Sequence, residues 1–336
     1  TGCDRFPGGF AGGAVSFRRK DEVMESNLKA RIRPGQARRK QRTDRTVRAV
    51  FFLAALISGS CIVLITLFIL MKGIQPFLPG YAYGSVSLKD FLLGTLWRQD
   101  QGVYGVGFIV INTLISAFGA LLLAFPIAVL TALFIVKIAP KPVKPLMKTV
   151  VELLASIPSV VYGVFAAGVI TSLVKGLASL AGVSTAGGSS LLAVILLLAI
   201  MIFPTITSLA VTAIEAVDPD LELGSLALGA TATQTHFKVV LTSAKSGIFA
   251  GAILGLGRAF GEATAVAMVA GNKLFGPTFN LFDITRTLTS TMLAGLKETA
   301  GLDYDIRFSV GLVLMVGILL SNLSLNWVKK KVGNGQ

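Results

Sequence analysis

The chain has 336 residues, of which 53% are hydrophobic and only 14% charged, and its mean hydropathy is +0.75. That composition excludes an ordinary soluble globular domain and predicts an all-α polytopic membrane protein. A net charge of +14 could suggest nucleic acid, but the basic residues cluster beside apolar segments instead of covering a folded face, so no nucleic-acid partner is expected.

Residues 1–46 are rich in glycine and arginine, carry no apolar run and include Pro34-Gly35, so the sequence predicts a disordered basic tail next to the membrane lipid. No cleavable signal peptide is recognisable. The first methionine is Met24, and residues 1–23 are expected to be an upstream remnant. Apolar windows long enough to cross roughly 30 Å of hydrocarbon then recur at about 49–71, 108–136, 150–174, 190–214, 247–270 and 308–328. They predict six transmembrane helices in a domain over 47–330, followed by a tail at 331–336.

Basic residues punctuate these spans. Arg31, Arg33, Arg38, Arg39, Lys40, Arg42, Arg45 and Arg48 precede the first; Lys137, Lys141, Lys144 and Lys148 fill the second connection; Lys329, Lys330 and Lys331 follow the last. By the positive-inside rule all three regions are cytoplasmic, which an even number of spans allows. Cys3, Cys61 and the lone His236 are too few for a zinc site or a disulfide framework, so no metal or cofactor is expected and Cys61 reads as a small packing residue.

The first outer connection, 73–107, holds Pro76, Pro79 and Gly80 and then an amphipathic stretch at 88–93. It is expected along the outer surface or packed on the bundle. Pro126, Pro158 and Pro204 interrupt the second, third and fourth spans, where each should bend its helix.

The inner connection 215–246 reads as structured. Asp218 is placed to cap a helix that has Pro219 in its first turn and Asp220 and Glu222 near its positive end. The run Glu222, Leu223, Gly224, Ser225, Leu226, Ala227 and Leu228 leads to Gly229, suited to a left-handed cap, and Ala230. Thr231 and Gln234 have capping-box spacing, opening a second helix. Leucines left at the membrane surface argue for a docking partner, with folding back onto the span ends as the alternative.

In the fifth span Gly247, Gly251 and Gly255 form one small-residue face, and Gly257 with Gly261 a second, for close helix packing within the chain or against another subunit. The same span carries Arg258 and Glu262. Burying either at mid-bilayer costs roughly 2.5–3.5 kcal/mol, so such groups line a solute path, pair with each other, or both. A helical spacing of four places them on one face, and an ion pair that only fixes helix register is the competing reading. Beyond it, Lys273, Arg286, Lys297 and Arg307 balance Asp283, Glu298, Asp303 and Asp305, which predicts a solvated face or a docking surface.

Several blocks together resemble a family. Phe91-Leu-Leu-Gly-Thr-Leu-Trp97 with Tyr104-Gly105, then Glu152-Leu-Leu-Ala-Ser-Ile-Pro-Ser-Val-Val-Tyr-Gly163, Gly224-Ser-Leu-Ala-Leu-Gly-Ala-Thr231 with Phe237–Leu241, and Gly257–Asn272 are similar to the PstC-type permease subunits of bacterial ATP-binding-cassette phosphate importers. The resemblance covers about residues 45–330. It implies a MetI-like importer permease fold in the inner membrane, with 222–230 as a cytoplasmic coupling helix. It also implies a PstA-like sister permease, two copies of a PstB-like ATPase and a PstS-like phosphate-binding protein. Arg258, Glu262 and Thr264 then fall on the phosphate path, with Glu262 holding Arg258 between visits. Three positions depart from the pattern: Leu223 stands where the coupling motif has glutamate, Thr242 replaces its closing proline, and Glu262-Ala-Thr264 replaces Glu-Thr-Met.

No phosphate-cradling G-x-x-x-x-G-K-[ST] is present, so ATP hydrolysis is expected in another chain. A permease for another oxyanion, molybdate or sulfate, is the nearest alternative. A non-transporting sensor or scaffold is a further one, and an intramembrane enzyme using Glu262 finds no nucleophile–base partner within the spans.

Overall fold

The computed structural model describes residues 34–333, so the expectations for 1–33 and 334–336 lie outside the described residues. The chain divides into two compact units, 1–67 and 68–336. Described residues of the first belong to a long helix, α1 (Pro34–Ile74). It begins at Pro34, within the stretch expected as a tail. Proline suits a first helical turn, and the arginines, lysine and glutamines after it are good helix formers that extend the helix of the apolar span backwards. Cys61, expected to pack, is exposed.

Among the described residues six helical stretches are long and apolar enough to cross a membrane: Arg45–Phe77, Gly107–Ile138, Ser159–Leu180, Leu191–Glu215, Ala232–Gly261 and Leu302–Trp327. Two differ from the sequence expectation. The third does not run from 150. A separate amphipathic helix, α2 (Val143–Ser156), stops before Ile157-Pro158, and the span restarts at Ser159. The residue before a proline is driven out of the helical region, and Ile157 has ψ 128. Pro158 therefore ends one helix and opens another, whereas Pro126 and Pro204 stay inside theirs. The fifth stretch ends at Gly261, and a short helix, α3 (Thr264–Val269), follows a break.

The second and fourth spans form the most extensive helix pair. Ala117, Ala120, Ala124 and Ala128 make a flat stripe on one, and Val194, Leu197, Leu198 and Met201 of the other fill the core against it. The fifth span lies on the fourth through glycines. A Cβ added at Gly247 would meet Ala213 Cβ at 2.5 Å, and one at Gly255 would meet Ile206 Cγ1 at 2.8 Å. Gly247→Val is expected to push these helices apart at a cost of about 1–3 kcal/mol, read as reduced folded yield on detergent gel filtration. Gly257 and Gly261 have open space where a Cβ would stand.

One end of the bundle is closed by a cap. Helix α4 (Leu88–Leu93) starts at Ser87, whose side chain accepts from Asp90 N–H, and buries Phe91. A two-residue ribbon pairs Trp97 with Tyr104. It is reached by a crossing of Gly94 and Gly105 so close that a Cβ on Gly105 would sit 2.5 Å from Gly94 C. Here too the expectation of a solvated outer segment is corrected in part: Lys297 and Glu298 are exposed, but Arg286, Asp305 and Arg307 are 7%, 6% and 2% exposed. Asp305 receives hydrogen bonds from Lys72 Nζ at 3.3 Å and Tyr81 Oη at 2.5 Å. Arg307 donates to the Thr291 and Ala294 carbonyls. Carbonyls at the end of helix α5 (Leu288–Leu293) thus take the place of solvent.

Candidate functional site

Arg258 lies in the last turn before Gly261 and is half-buried. Its Nη1 donates to Thr205 Oγ1 of the fourth span at 3.0 Å. The guanidinium opens into a cleft of about 690 Å³ between the fourth, fifth and sixth spans, whose polar lining is Thr205, Arg258, Asn322, Asn326 and Lys329. Gly257 lines the same cleft. Among the described residues this is a cation with one neutral partner and open space beside it, an arrangement suited to a second, anionic partner.

Glu262 does not share a helical face with Arg258. Its backbone is extended (φ −77°, ψ 114°). Its Oε1 accepts from Ala265 N–H at 3.0 Å, and its carbonyl accepts from Thr289 Oγ1 at 2.7 Å. The expected Arg258–Glu262 pair is thus replaced by two separate engagements. A helix broken inside a membrane frees backbone donors that must be satisfied locally, and Glu262 satisfies one of them. Thr264 opens α3 and is half-buried. Sequence reasoning missed Thr205, Asn322 and Asn326; the available signal was a pair of asparagines four apart in an otherwise apolar last span.

At one end of the bundle, a hairpin follows the fourth span. Helix α6 (Pro219–Ala227) is capped by Asp218, whose side chain accepts from Asp220 N–H at 2.9 Å. Gly229 has φ +85°, the left-handed value expected of it. Thr231 and Gln234 form the expected reciprocal capping box. Leu221, Leu223, Leu226 and Leu228 are all exposed, Leu228 at 91%, so the leucines do not fold back on the span ends. Gly224 and Ala230 flank this face, and Ser225 Oγ lies 2.9 Å from Thr235 Oγ1, tying the two arms together.

Glu222 turns inward. It is bonded by Lys137, and His236 Nε2 stands 3.5 Å from its Oε1. The Lys137 hydrogen bond, with a smaller contribution from His236, holds the Glu222 carboxyl below its ordinary value against the opposing effect of burial. Because the folded value is the lower one, this anchor is complete above the unfolded value of about 4.3 and fades as pH falls through the lowered one. Protection factors of the amides over 219–234, taken against intrinsic rates at the same pH, are therefore expected to fall on acidification into that range, and in Glu222→Gln to be low already at neutral pH.

The structure thus combines a charge in a cleft between spans, a span broken just after it, and a hairpin with an exposed leucine face. The family described as the binding-protein-dependent transport system inner membrane component matches residues 124–334. The chain is 35% identical over 288 residues to a probable ABC transporter permease protein, YqgH, of Bacillus subtilis, covering 84% of this chain and 90% of that one. It is 32% identical over 269 residues to the phosphate transport system permease protein PstC of Pasteurella multocida, covering 74% and 84%. A chain from the crystal structure of a bacterial alginate ABC transporter in complex with its pentasaccharide-bound periplasmic protein superposes with TM-score 0.59 at 19% identity, over 86% of this chain and 98% of that one; this likeness concerns the fold alone. The chain belongs to the family of binding-protein-dependent transport system inner membrane components, and within it to the PstC-type permeases.

Proposed function

We propose that this permease imports inorganic phosphate, with Arg258 as the group that holds the anion inside the membrane. The observation that carries the proposal is the Arg258 guanidinium bonded to Thr205 and lining a largely apolar cleft into which Asn322, Asn326 and Lys329 also project. A planar guanidinium grips two oxygens of a tetrahedral anion by parallel charge-assisted bonds. The PstC relatives support phosphate over molybdate or sulfate.

In this reading the chain pairs with a PstA-like sister permease. Gly257 and Gly261, with no neighbour against a Cβ among the described residues, allow a close approach there. Two PstB-like ATPases act on the α6 hairpins, and a PstS-like protein delivers phosphate from outside. The hairpin end, with Lys137, Lys141, Lys144, Lys148 and Lys329, is cytoplasmic under the positive-inside rule. Labelling of a single cysteine at position 141 or 232 from outside the cell would reverse this orientation.

The reading is tested by radiolabelled phosphate uptake in a permease-deficient cell. Uptake restored only when the cognate ATPase is co-expressed is the expected result. Restored ATPase binding without uptake would favour the scaffold reading.

A further inference from the structure

Arg286 is a buried charged group that the transport reading leaves unused. It is 7% exposed, and its Nε and Nη1 have no hydrogen-bond partner. Its guanidinium carbon stands 6.0 Å from the centre of the Trp97 ring, which in turn meets Tyr104 edge-on at 5.4 Å. Asn112 Nδ2, Thr285 Oγ1 and Asn272 Oδ1 are also buried and unpartnered. Asn112 is held through its other amide atom, which accepts from Thr278 N–H at 2.7 Å.

The charges nearby deepen the deficit. Burial and then the like charge of Arg307 pull the Arg286 guanidinium down to about 10, still protonated at neutral pH. Arg307 is served by carbonyls of 291, 294 and 303, and the neighbouring carboxylates are engaged elsewhere: Asp305 by Lys72 and Tyr81, Asp303 by Tyr104, Asp283 by Lys273. A buried cation near another cation, with two of its own donors unsatisfied, is stabilised when an acceptor-rich group reaches it.

We infer that Arg286, whose guanidinium lies over the Trp97 ring and whose buried Nε and Nη1 lack a partner, forms a binding site for a tetrahedral oxyanion at the end of the bundle opposite the hairpin. That placement follows from Leu191 and Leu192, the first residues of the fourth span, whose N–H groups bond the carbonyls of Asp283 and Leu281 at 2.9 and 2.8 Å. The inference rests on the permease reading only for the identity of its cargo, for which it supplies a receiving site before the Arg258 cleft. A phosphodiester headgroup shares the recognised chemistry, and the test separates it from a free anion.

The full chain carrying Trp327→Phe has Trp97 as its only tryptophan. Purified in phospholipid-free maltoside, its fluorescence is expected to change saturably with inorganic phosphate, and not with chloride. Arg286→Met should remove that response. It should also raise the thermal midpoint in oxyanion-free buffer, because a stranded charge is replaced by an apolar chain of similar length. Arg286→Lys, which keeps the charge but not the fork, should respond about tenfold more weakly, and it carries the test should the methionine variant not fold.

A response to sulfate without phosphate keeps the site and rejects phosphate as cargo. Phosphate uptake with no Trp97 response to any oxyanion rejects the site and leaves the permease reading standing. A lower midpoint in Arg286→Met with the response intact makes the arginine a strut against Trp97, and a response to phosphatidylglycerol alone makes the site a lipid contact; either overturns the inference.

Discussion

Arg258→Gln is expected to abolish phosphate uptake while the folded yield stays at the parent level. The guanidinium is half-buried, holds one neutral hydroxyl and otherwise faces a cleft, so glutamine can keep the bond to Thr205 without stranding a charge. What it would lose, on the proposed reading, is the bond to the anion. Removing one member of a buried charged pair costs about 2–5 kcal/mol, which is roughly 30- to several-thousand-fold in affinity. Arg258→Lys should be intermediate, because an ammonium offers a point charge instead of a fork. Adding Glu262→Gln should rescue nothing, since Glu262 caps the 264–269 helix on its own account and its substitution leaves an acceptor in place. Near-parent uptake in the double variant would show that the two residues act as a structural pair and that phosphate binds elsewhere.

The second large effect is expected at the hairpin. Leu228→Asp should leave yield and thermal midpoint unchanged, because the side chain is already almost wholly exposed. Co-purification of the ATPase should fall sharply. A central apolar anchor in an interface is worth about 2 kcal/mol or more, and a carboxylate in its place would have to be desolvated without a partner. ATPase binding at the parent level would mean that the exposed leucines are not the docking face and that the hairpin transmits nothing.

Elements specified by local rules were legible in the sequence. Six apolar stretches gave the span count, and Asp218, Pro219, Gly229 and the Thr231–Gln234 box gave the hairpin, since caps and turns depend on a few adjacent residues. Features that depend on distant neighbours were not legible. Hydropathy runs the apolar face of the 143–156 helix into the third span, and only the backbone restriction imposed by Pro158 separates them. The helical spacing of Arg258 and Glu262 predicted a pair, but the chain leaves the helix after Gly261 and finds its hydrogen bonds in Ala265 and Thr289. Arg286, Asp305 and Arg307 read as a balanced polar surface, because burial of the 271–307 segment is set by contacts with Trp97, Tyr81 and the ends of other spans. The cleft around Arg258 likewise draws Thr205 and Asn322 from helices far apart in sequence.

The most direct measurement is ATP-dependent uptake of radiolabelled phosphate by proteoliposomes containing this chain, its sister permease and its ATPase, with the binding protein supplied outside. Phosphate should accumulate only with ATP, with no loss when sulfate or molybdate is present in excess, and accumulation should vanish in Arg258→Gln. ATP-driven accumulation of sulfate or molybdate in place of phosphate would contradict the account, as would phosphate accumulation undiminished by loss of Arg258.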